Sequence, residues 1–282
     1  MTIQFDTLVL SGGSGKGLIV LGALQYVFEQ NFFKKIDTYI GTSSGAVLCF
    51  LLSIGYTPTE IIVYLCINRI FEKVINFNIV NMINDNGAIS FSGFQEVLEK
   101  MTVSKIGILP TLKEVYDKYG KKLIFTTYNL SEQKVEYLSY ENSPDLPCLI
   151  ALRMSCNLPL IFERFKYNNN FYIDGGLVDN FPIDLAYNIG KKSLGIIVDN
   201  TLEKNVNDYK NIIEYIYVLL SIPSQKYLEE KIKNKTENCF IVELDCKNNI
   251  SNFDFNIDNI RKLDLFSDGY TQMKQDLEKF FK

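Results

Sequence analysis

Short, almost fully apolar runs alternate along this chain with longer stretches in which apolar residues recur every three or four positions. The short runs predict strands, and the run at 192–198 is of the type found in a sheet that is buried on both faces. The predicted strands are residues 7–10, 38–40, 123–128, 135–139, 162–167, 171–173, 192–198 and 239–244. The fifth and sixth of these are expected to form a hairpin around the asparagines at 168–170.

The periodic stretches predict helices, two of which begin at a capping box formed by Thr57 with Glu60 and by Thr111 with Glu114. Because strands and helices alternate, we expect an α/β protein: a three-layer α/β/α sandwich around a mostly parallel central sheet. Residues 74–91 are rich in asparagine and lack a clear period, which predicts a loop or lid. The predicted helices are residues 17–30, 44–54, 58 to about 73, 94–101, 111–119, 145–155, 183–188, 208–233 and 259–281.

The composition narrows the class of protein. A hydrophobic content of 47% and a net charge of −4 are typical of a globular chain and give no sign of a basic face for nucleic acid. The longest apolar run, residues 46–54 with an interruption at Ser53, is well short of the ~18 residues that a membrane span needs. We therefore expect a cytoplasmic protein without a transmembrane segment, whose contact with membranes is peripheral.

The six cysteines lie far apart, without a C-x-x-C pair, and the chain contains no histidine. A zinc site is therefore not expected, and neither a metal nor a cofactor is predicted. We expect the cysteines to be reduced thiols in a reducing compartment.

A glycine-rich segment, SGGSGKG at residues 11–17, connects the first predicted strand to the first predicted helix. Backbone N–H groups at such a junction form a nest suited to an anion, although the same glycines also suit a tight turn. A nucleotide-binding P-loop is excluded because Leu10 and Gly17 stand where that motif needs glycine and serine or threonine. The dinucleotide pattern fails as well, since Leu18 or Val20 occupies its last glycine position.

Residues 41–45, GTSSG, fit the G-x-S-x-G pattern of a nucleophile elbow, in which Ser43 lies on the turn between a strand and a helix. The alternative is that Thr42 or Ser43 simply caps the helix that follows. Without histidine this chain cannot form a Ser–His–Asp triad. If Ser43 is a nucleophile, a carboxylate or a lysine must activate it, and no S-x-x-K pattern places a lysine near it.

A carboxylate is available in Asp174, which ends a predicted strand and precedes two glycines. Taken alone, this pattern is more typical of a turn than of a catalytic site. Together, the glycine nest, Ser43 and Asp174 supply the parts of an acyl-transfer site: donors for an oxyanion, a nucleophile and a base.

These motifs resemble those of the patatin-like phospholipases, and they occur in the same order across residues 7 to about 187. Residues 12–17 resemble the glycine-rich box of that family, and 41–45 its G-x-S-x-G. Residues 155–159, SCNLP, resemble A-S-x-x-x-P, and residues 174–182, DGGLVDNFP, resemble D-G-G-x-x-x-N-x-P.

The resemblance implies a single domain over residues 1–282, with a catalytic core at about 7–187 and a C-terminal extension at 188–282. It also implies a phospholipase A-type lipid acyl hydrolase that needs no metal. Ser43 would be the nucleophile, Asp174 the proton acceptor, and Lys16 would anchor the loop or bind a substrate phosphate. The oxyanion hole would be built from the loop residues Gly12, Gly13, Ser14 and Gly15.

Ser14 departs from the family pattern, which has glycine at this position. If the position requires a positive φ, serine carries a steric cost of about 1 kcal/mol while keeping its N–H group. Two other interpretations stay open: a catalytically silent lipid-binding or scaffold protein on the same fold, and a general carboxylesterase or thioesterase.

Overall fold

The computed structural model describes residues 4–68, 87, 89–187, 192–198, 212–246 and 257–280. Eight strands in these ranges form one sheet in the order β5-β6-β3-β2-β1-β7-β8, with β4 paired to the free edge of β3. The pairs β3–β2, β2–β1, β1–β7 and β7–β8 are parallel, as predicted. The strands are β1 (Thr7–Leu10), β2 (Thr38–Thr42), β3 (Lys122–Asn129), β4 (Lys134–Leu138), β5 (Phe165–Tyr167), β6 (Asn170–Asp174), β7 (Ser193–Val198) and β8 (Cys239–Leu244).

Helices cover both faces of the sheet, because the central strands are apolar on both sides. Leu8 and Leu10 of β1 pack into the larger core on one face, whereas Val9 joins a second core on the other face. The described helices are α1 (Gly17–Glu29), α2 (Ser44–Ser53), α3 (Pro58–Ile67), α4 (Ser92–Ile106), α5 (Leu112–Tyr119), α6 (Cys148–Ser155), α7 (Asp184–Tyr187), α8 (Ile212–Lys233) and α9 (Asn259–Phe280). The expected three-layer α/β/α sandwich is therefore confirmed.

Three predicted boundaries differ from the structure, and for the first two the reason is clear. Helix α6 begins at Cys148 and not at residue 145, because Pro147 stands before it in an extended conformation. Helix α4 runs past residue 101 to Ile106 and ends at Gly107, which has a φ of 79°. Strand β5 begins at Phe165, three residues later than predicted. Residues 69–73 of the third predicted helix, most of the predicted loop or lid at 74–91, and the predicted start of α8 at 208 lie outside the described residues.

The C-terminal strands β7 and β8 and the helix α9 pack directly on the elements that precede them. Strands β7 and β8 continue the sheet beyond β1, and α9 packs along α1. The two helices approach closely at Gly22 and Gly269: a Cβ atom on either glycine would come within 2 Å of a backbone oxygen on the other helix. No single described helix is long and apolar enough to span a membrane, although α2 and α3, which meet at a bend of 117°, pass that test of length and composition as a pair.

Candidate active site

Ser43 occupies the sharp turn between β2 and α2. Its backbone has a φ of 52° and a ψ of −124°, a strained conformation for a residue with a side chain, and its hydroxyl does not cap the helix. Gly41 and Gly45 allow this turn, because a Cβ atom at Gly41 would lie 2.6 Å from the amide nitrogen of Ala46 and one at Gly45 would lie 2.5 Å from Leu10 O. The local geometry is that of a nucleophile elbow.

Asp174 lies near Ser43 because strands β2 and β6 both pair with β3. Along one edge of β3, Thr126 pairs with Thr42, the last residue of β2, and Thr127 pairs with Asp174, the last residue of β6. Strand β4 pairs with the opposite edge over the same part of β3. The ends of β2 and β6 therefore meet, and residues far apart in the chain become neighbours.

Asp174 is almost completely buried, with only 1% of its surface exposed to solvent. Burial raises its pKa to about 7, although hydrogen bonding by the Ser43 hydroxyl and by the Gly176 backbone lowers it in part. Oδ1 accepts a hydrogen bond of 2.7 Å from Gly176 N–H. Oδ2 makes no hydrogen bond of standard geometry to the described residues. The Ser43 hydroxyl nevertheless lies close enough to the carboxyl group to lower its pKa.

In the glycine-rich loop the positive φ belongs to Ser14, at 47°, and none of the described loop glycines adopts one. Gly12 N–H donates to Asn180 O at 3.3 Å and Gly13 N–H donates to Ser44 Oγ at 3.0 Å. Neither Ser14 N–H nor Gly15 N–H has a hydrogen-bond partner within the described part of the chain. The N–H groups open to a ligand are thus those of Ser14 and Gly15.

Lys16 closes the first turn of this loop, because its backbone N–H donates to Gly13 O at 2.9 Å. Lys16 is half-buried. The loop therefore begins a short 3-10 helix, Ser14–Lys16, that leads directly into α1.

An open cavity begins at Ser43 and Ser14 and extends between helices α1, α2, α3 and α4. Its wall is almost entirely hydrocarbon, which suits a long apolar group better than a polar one. Because Ser44, Val47, Leu48 and Leu51 all line it, the cavity follows α2 for about two turns, or roughly 10 Å.

Sequence reasoning did not identify several residues that hold the site together. Ser155 Oγ accepts the Ser43 N–H at 2.9 Å, and Asn157 O accepts the Asp174 N–H at 2.9 Å. Both lie in the SCNLP segment at residues 155–159, whose sequence alone does not indicate these contacts. The Cys156 thiol lies beside Ser43 and Asp174, and burial together with the Asp174 charge raises its pKa, so it stays protonated. No local pattern in the sequence marks it.

A family model described as patatin-like phospholipase matches residues 8–187. Among curated proteins, the probable lipid hydrolase 463L of Invertebrate iridescent virus 6 is 39% identical over 229 residues, which cover 77% of this chain and 76% of that protein. Triacylglycerol lipase 5 of Saccharomyces cerevisiae is 31% identical over 171 residues, which cover 55% of this chain and 22% of the lipase.

Two solved structures resemble the fold. VipD from Legionella pneumophila aligns with a TM-score of 0.59 at 16% identity, over 99% of this chain and 67% of VipD. ExoU from Pseudomonas aeruginosa, in its complex with SpcU, aligns with a TM-score of 0.51 at 15% identity, over 98% of this chain and 52% of the matched one. At these identities the likeness concerns the fold alone.

Proposed function

Because this chain belongs to the patatin-like phospholipase family, we propose that it is a phospholipase A-type lipid acyl hydrolase that cleaves carboxylic esters of glycerophospholipids. The proposed catalytic groups are Ser43 and Asp174. The observation that carries the proposal is the placement of the strained turn at Ser43 beside a buried carboxyl group whose pKa is raised to about 7. A base with a pKa near the working pH is well suited to accept a proton in the transition state.

In the proposed mechanism, Ser43 Oγ attacks the carbonyl carbon of the ester while Asp174 Oδ2 accepts the hydroxyl proton. The tetrahedral oxyanion is held by the N–H groups of Ser14 and Gly15, and loss of such a donor typically costs about 10²–10³ in rate. Gly12 and Gly13 support this hole by fixing the loop, since their own N–H groups are engaged. Asp174 then returns the proton to the leaving alcohol, and water hydrolyses the acyl-Ser43 intermediate.

The apolar cavity beside Ser43 supports an acyl chain as the group that enters the site. The viral and yeast relatives, named as a probable lipid hydrolase and a triacylglycerol lipase, favour a lipid ester over a short soluble ester. Lys16 is proposed to bind a lipid phosphate or to anchor the loop. Such substrates reside in membranes, so we propose that the enzyme works in the cytoplasm by transient contact with a membrane surface.

A lipid-panel hydrolysis assay read by mass spectrometry tests this proposal. The wild-type protein is expected to release fatty acid from phospholipid vesicles and Ser43→Ala is expected to release none. Ser53→Ala serves as a matched control, because Ser53 is a buried serine at the other end of the same helix. Release by the Ser43→Ala protein at the wild-type rate would overturn the assignment.

The same panel separates the alternatives. A catalytically silent lipid-binding protein would release no product, and its Ser43 would not react with a fluorophosphonate probe. A general carboxylesterase or thioesterase would cleave short soluble esters or thioesters and leave phospholipid vesicles intact.

A further inference from the structure

A buried ion pair joins helix α8 to the loop that follows Asp174. Lys231 Nζ lies 2.7 Å from Oδ1 and 2.8 Å from Oδ2 of Asp179, and both side chains are almost completely buried. The Tyr137 hydroxyl donates a further hydrogen bond of 2.7 Å to Asp179 Oδ2. Taking two charges out of water is costly, so such a pair is weak evidence for stability as such.

Asp179 contacts the backbone on both sides of the proposed dyad. Its N–H donates to Gly175 O at 2.8 Å, and Gly175 directly follows Asp174. Its carbonyl oxygen accepts a hydrogen bond of 3.2 Å from Thr42 Oγ1, and Thr42 directly precedes Ser43. One residue therefore links the turn that carries the base to the turn that carries the nucleophile.

The next residue, Asn180, contacts the third part of the site, the glycine-rich loop. Asn180 O accepts the Gly12 N–H at 3.3 Å, and Asn180 Nδ2 donates to Gly12 O at 3.2 Å. The dipeptide Asp179–Asn180 thus contacts the glycine-rich loop, the nucleophile turn and the turn after Asp174. Lys231 lies outside the motif at residues 174–182 and holds this dipeptide through its ion pair with Asp179.

We propose that Lys231 is a positioning residue for the dyad: by holding Asp179, it fixes the relative placement of Ser43 and Asp174. The catalytic unit then extends to α8, well beyond residues 8–187 that the family model matches. The inference rests on the proposed function, because it requires Ser43 and Asp174 to be the reacting groups.

The test must separate positioning from simple stabilisation. Lys231→Met alone leaves Asp179 buried and unpaired, which is expected to lower the Tm. Lys231 Nζ also lies 2.5 Å from Asp184 Oδ1, but the Asp184 side chain is 36% exposed and can be solvated. The double variant Lys231→Met/Asp179→Asn removes both fully buried charges, so most of the lost Tm is expected to recover while the link to α8 stays broken. Lys262→Met is the matched control, because Lys262 is another buried lysine on a C-terminal helix, and its Nζ donates to Leu65 O, away from the dyad.

The measurements are the rate at which a fluorophosphonate probe labels Ser43, per folded molecule, and kcat and KM on phosphatidylcholine vesicles. The double variant is expected to be labelled about 10- to 100-fold more slowly than the wild type, since a small misplacement of reacting groups is that costly. Its kcat is expected to fall by a similar factor at nearly constant KM. Lys262→Met is expected to keep the wild-type labelling rate.

Wild-type labelling and kcat in a folded double variant would overturn the proposal and leave Lys231 a stabilising residue only. If the double variant does not fold, Lys231→Met decides, measured below its own Tm, because it removes the contact between Lys231 and Asp179 directly. A several-fold loss of kcat at constant KM would support the proposal, and an unchanged kcat would overturn it. Failure of the proposed function is a different result: the wild-type protein itself would not be labelled.

Discussion

Asp174 accepts a hydrogen bond of 2.7 Å from the backbone N–H of Gly176 through Oδ1. This bond makes Asp174 the cap of the short 3-10 helix Gly175–Leu177, so the turn suggested by its sequence context is real. It also engages one carboxyl oxygen and leaves Oδ2 without a hydrogen-bond partner among the described residues. The same residue therefore serves the turn through one oxygen and keeps the other for the proposed proton transfer from Ser43.

The first prediction concerns pH. Because Asp174 must be deprotonated to act as a base and its pKa is raised to about 7, kcat/KM is expected to increase with pH up to about 7 and then level off. The measurement is a pH profile of hydrolysis from pH 4 to 9. The chain has no histidine, so this limb cannot belong to an imidazole. A limb near pH 4 would contradict the buried environment of Asp174.

The second prediction is that Asp174→Asn inactivates the enzyme and raises its stability. The pKa of Asp174 is about 7 when folded and about 3.9 when unfolded, so its burial penalty is absent below about pH 4 and complete above about pH 7. Removing the charge is expected to add roughly 1–4 kcal/mol to the free energy of unfolding at pH 8 and less at pH 5. Thermal unfolding at both pH values measures this, and an equal effect at both would refute it.

The third prediction concerns Ser14, whose φ of 47° is unfavourable for a residue with a side chain. Ser14→Gly is expected to relieve this strain and to change the free energy of unfolding by no more than about 1 kcal/mol, because glycine also gains freedom when unfolded. The backbone N–H is kept in both Ser14→Gly and Ser14→Ala, so both are expected to retain hydrolysis within about threefold of wild type. A large loss in both variants would show that the hydroxyl itself takes part.

The fourth prediction concerns the apolar cavity along α2. Leu51 lines it, about two helical turns from Ser44, so Leu51→Phe is expected to shorten the space for an acyl chain. The ratio of kcat/KM for long over short acyl esters should fall several-fold. Leu52→Phe is the control, since Leu52 is buried on the same helix but does not line the cavity. An equal shift in both variants would mean that the effect comes from overpacking and not from the cavity.

Much of this fold is encoded locally. The strands β1 and β8 have the predicted bounds, because short apolar runs bounded by polar residues leave few alternatives. The capping boxes at Thr57 and Thr111 formed as expected, since each depends only on residues within one turn. The predicted start of helix α6 is wrong for an equally local reason, since Pro147 precedes the helix and does not belong to it.

The site was less predictable, because its geometry depends on contacts between distant segments. The sequence identified Ser43 and Asp174 as candidates, but only the register of β3 brings them together. The glycine-rich loop was expected to donate N–H groups, yet those of Gly12 and Gly13 are taken by Asn180 and Ser44, which no local pattern reveals. Lys231 carries no motif and is recognised only through its buried contact with Asp179.

The pairing of Thr42 and Asp174 with consecutive residues of β3 has a consequence for how such enzymes diverge. The distance between the proposed nucleophile Ser43 and the proposed base Asp174 is set by the spacing of consecutive residues in β3, and not by the length of chain between them. Insertions at exposed turns, such as the Asn168–Asn169 hairpin tip, can therefore lengthen the protein without moving the two groups apart. Inserting or deleting one residue within β3 would move the two groups relative to each other, which a large insertion at an exposed turn would not do.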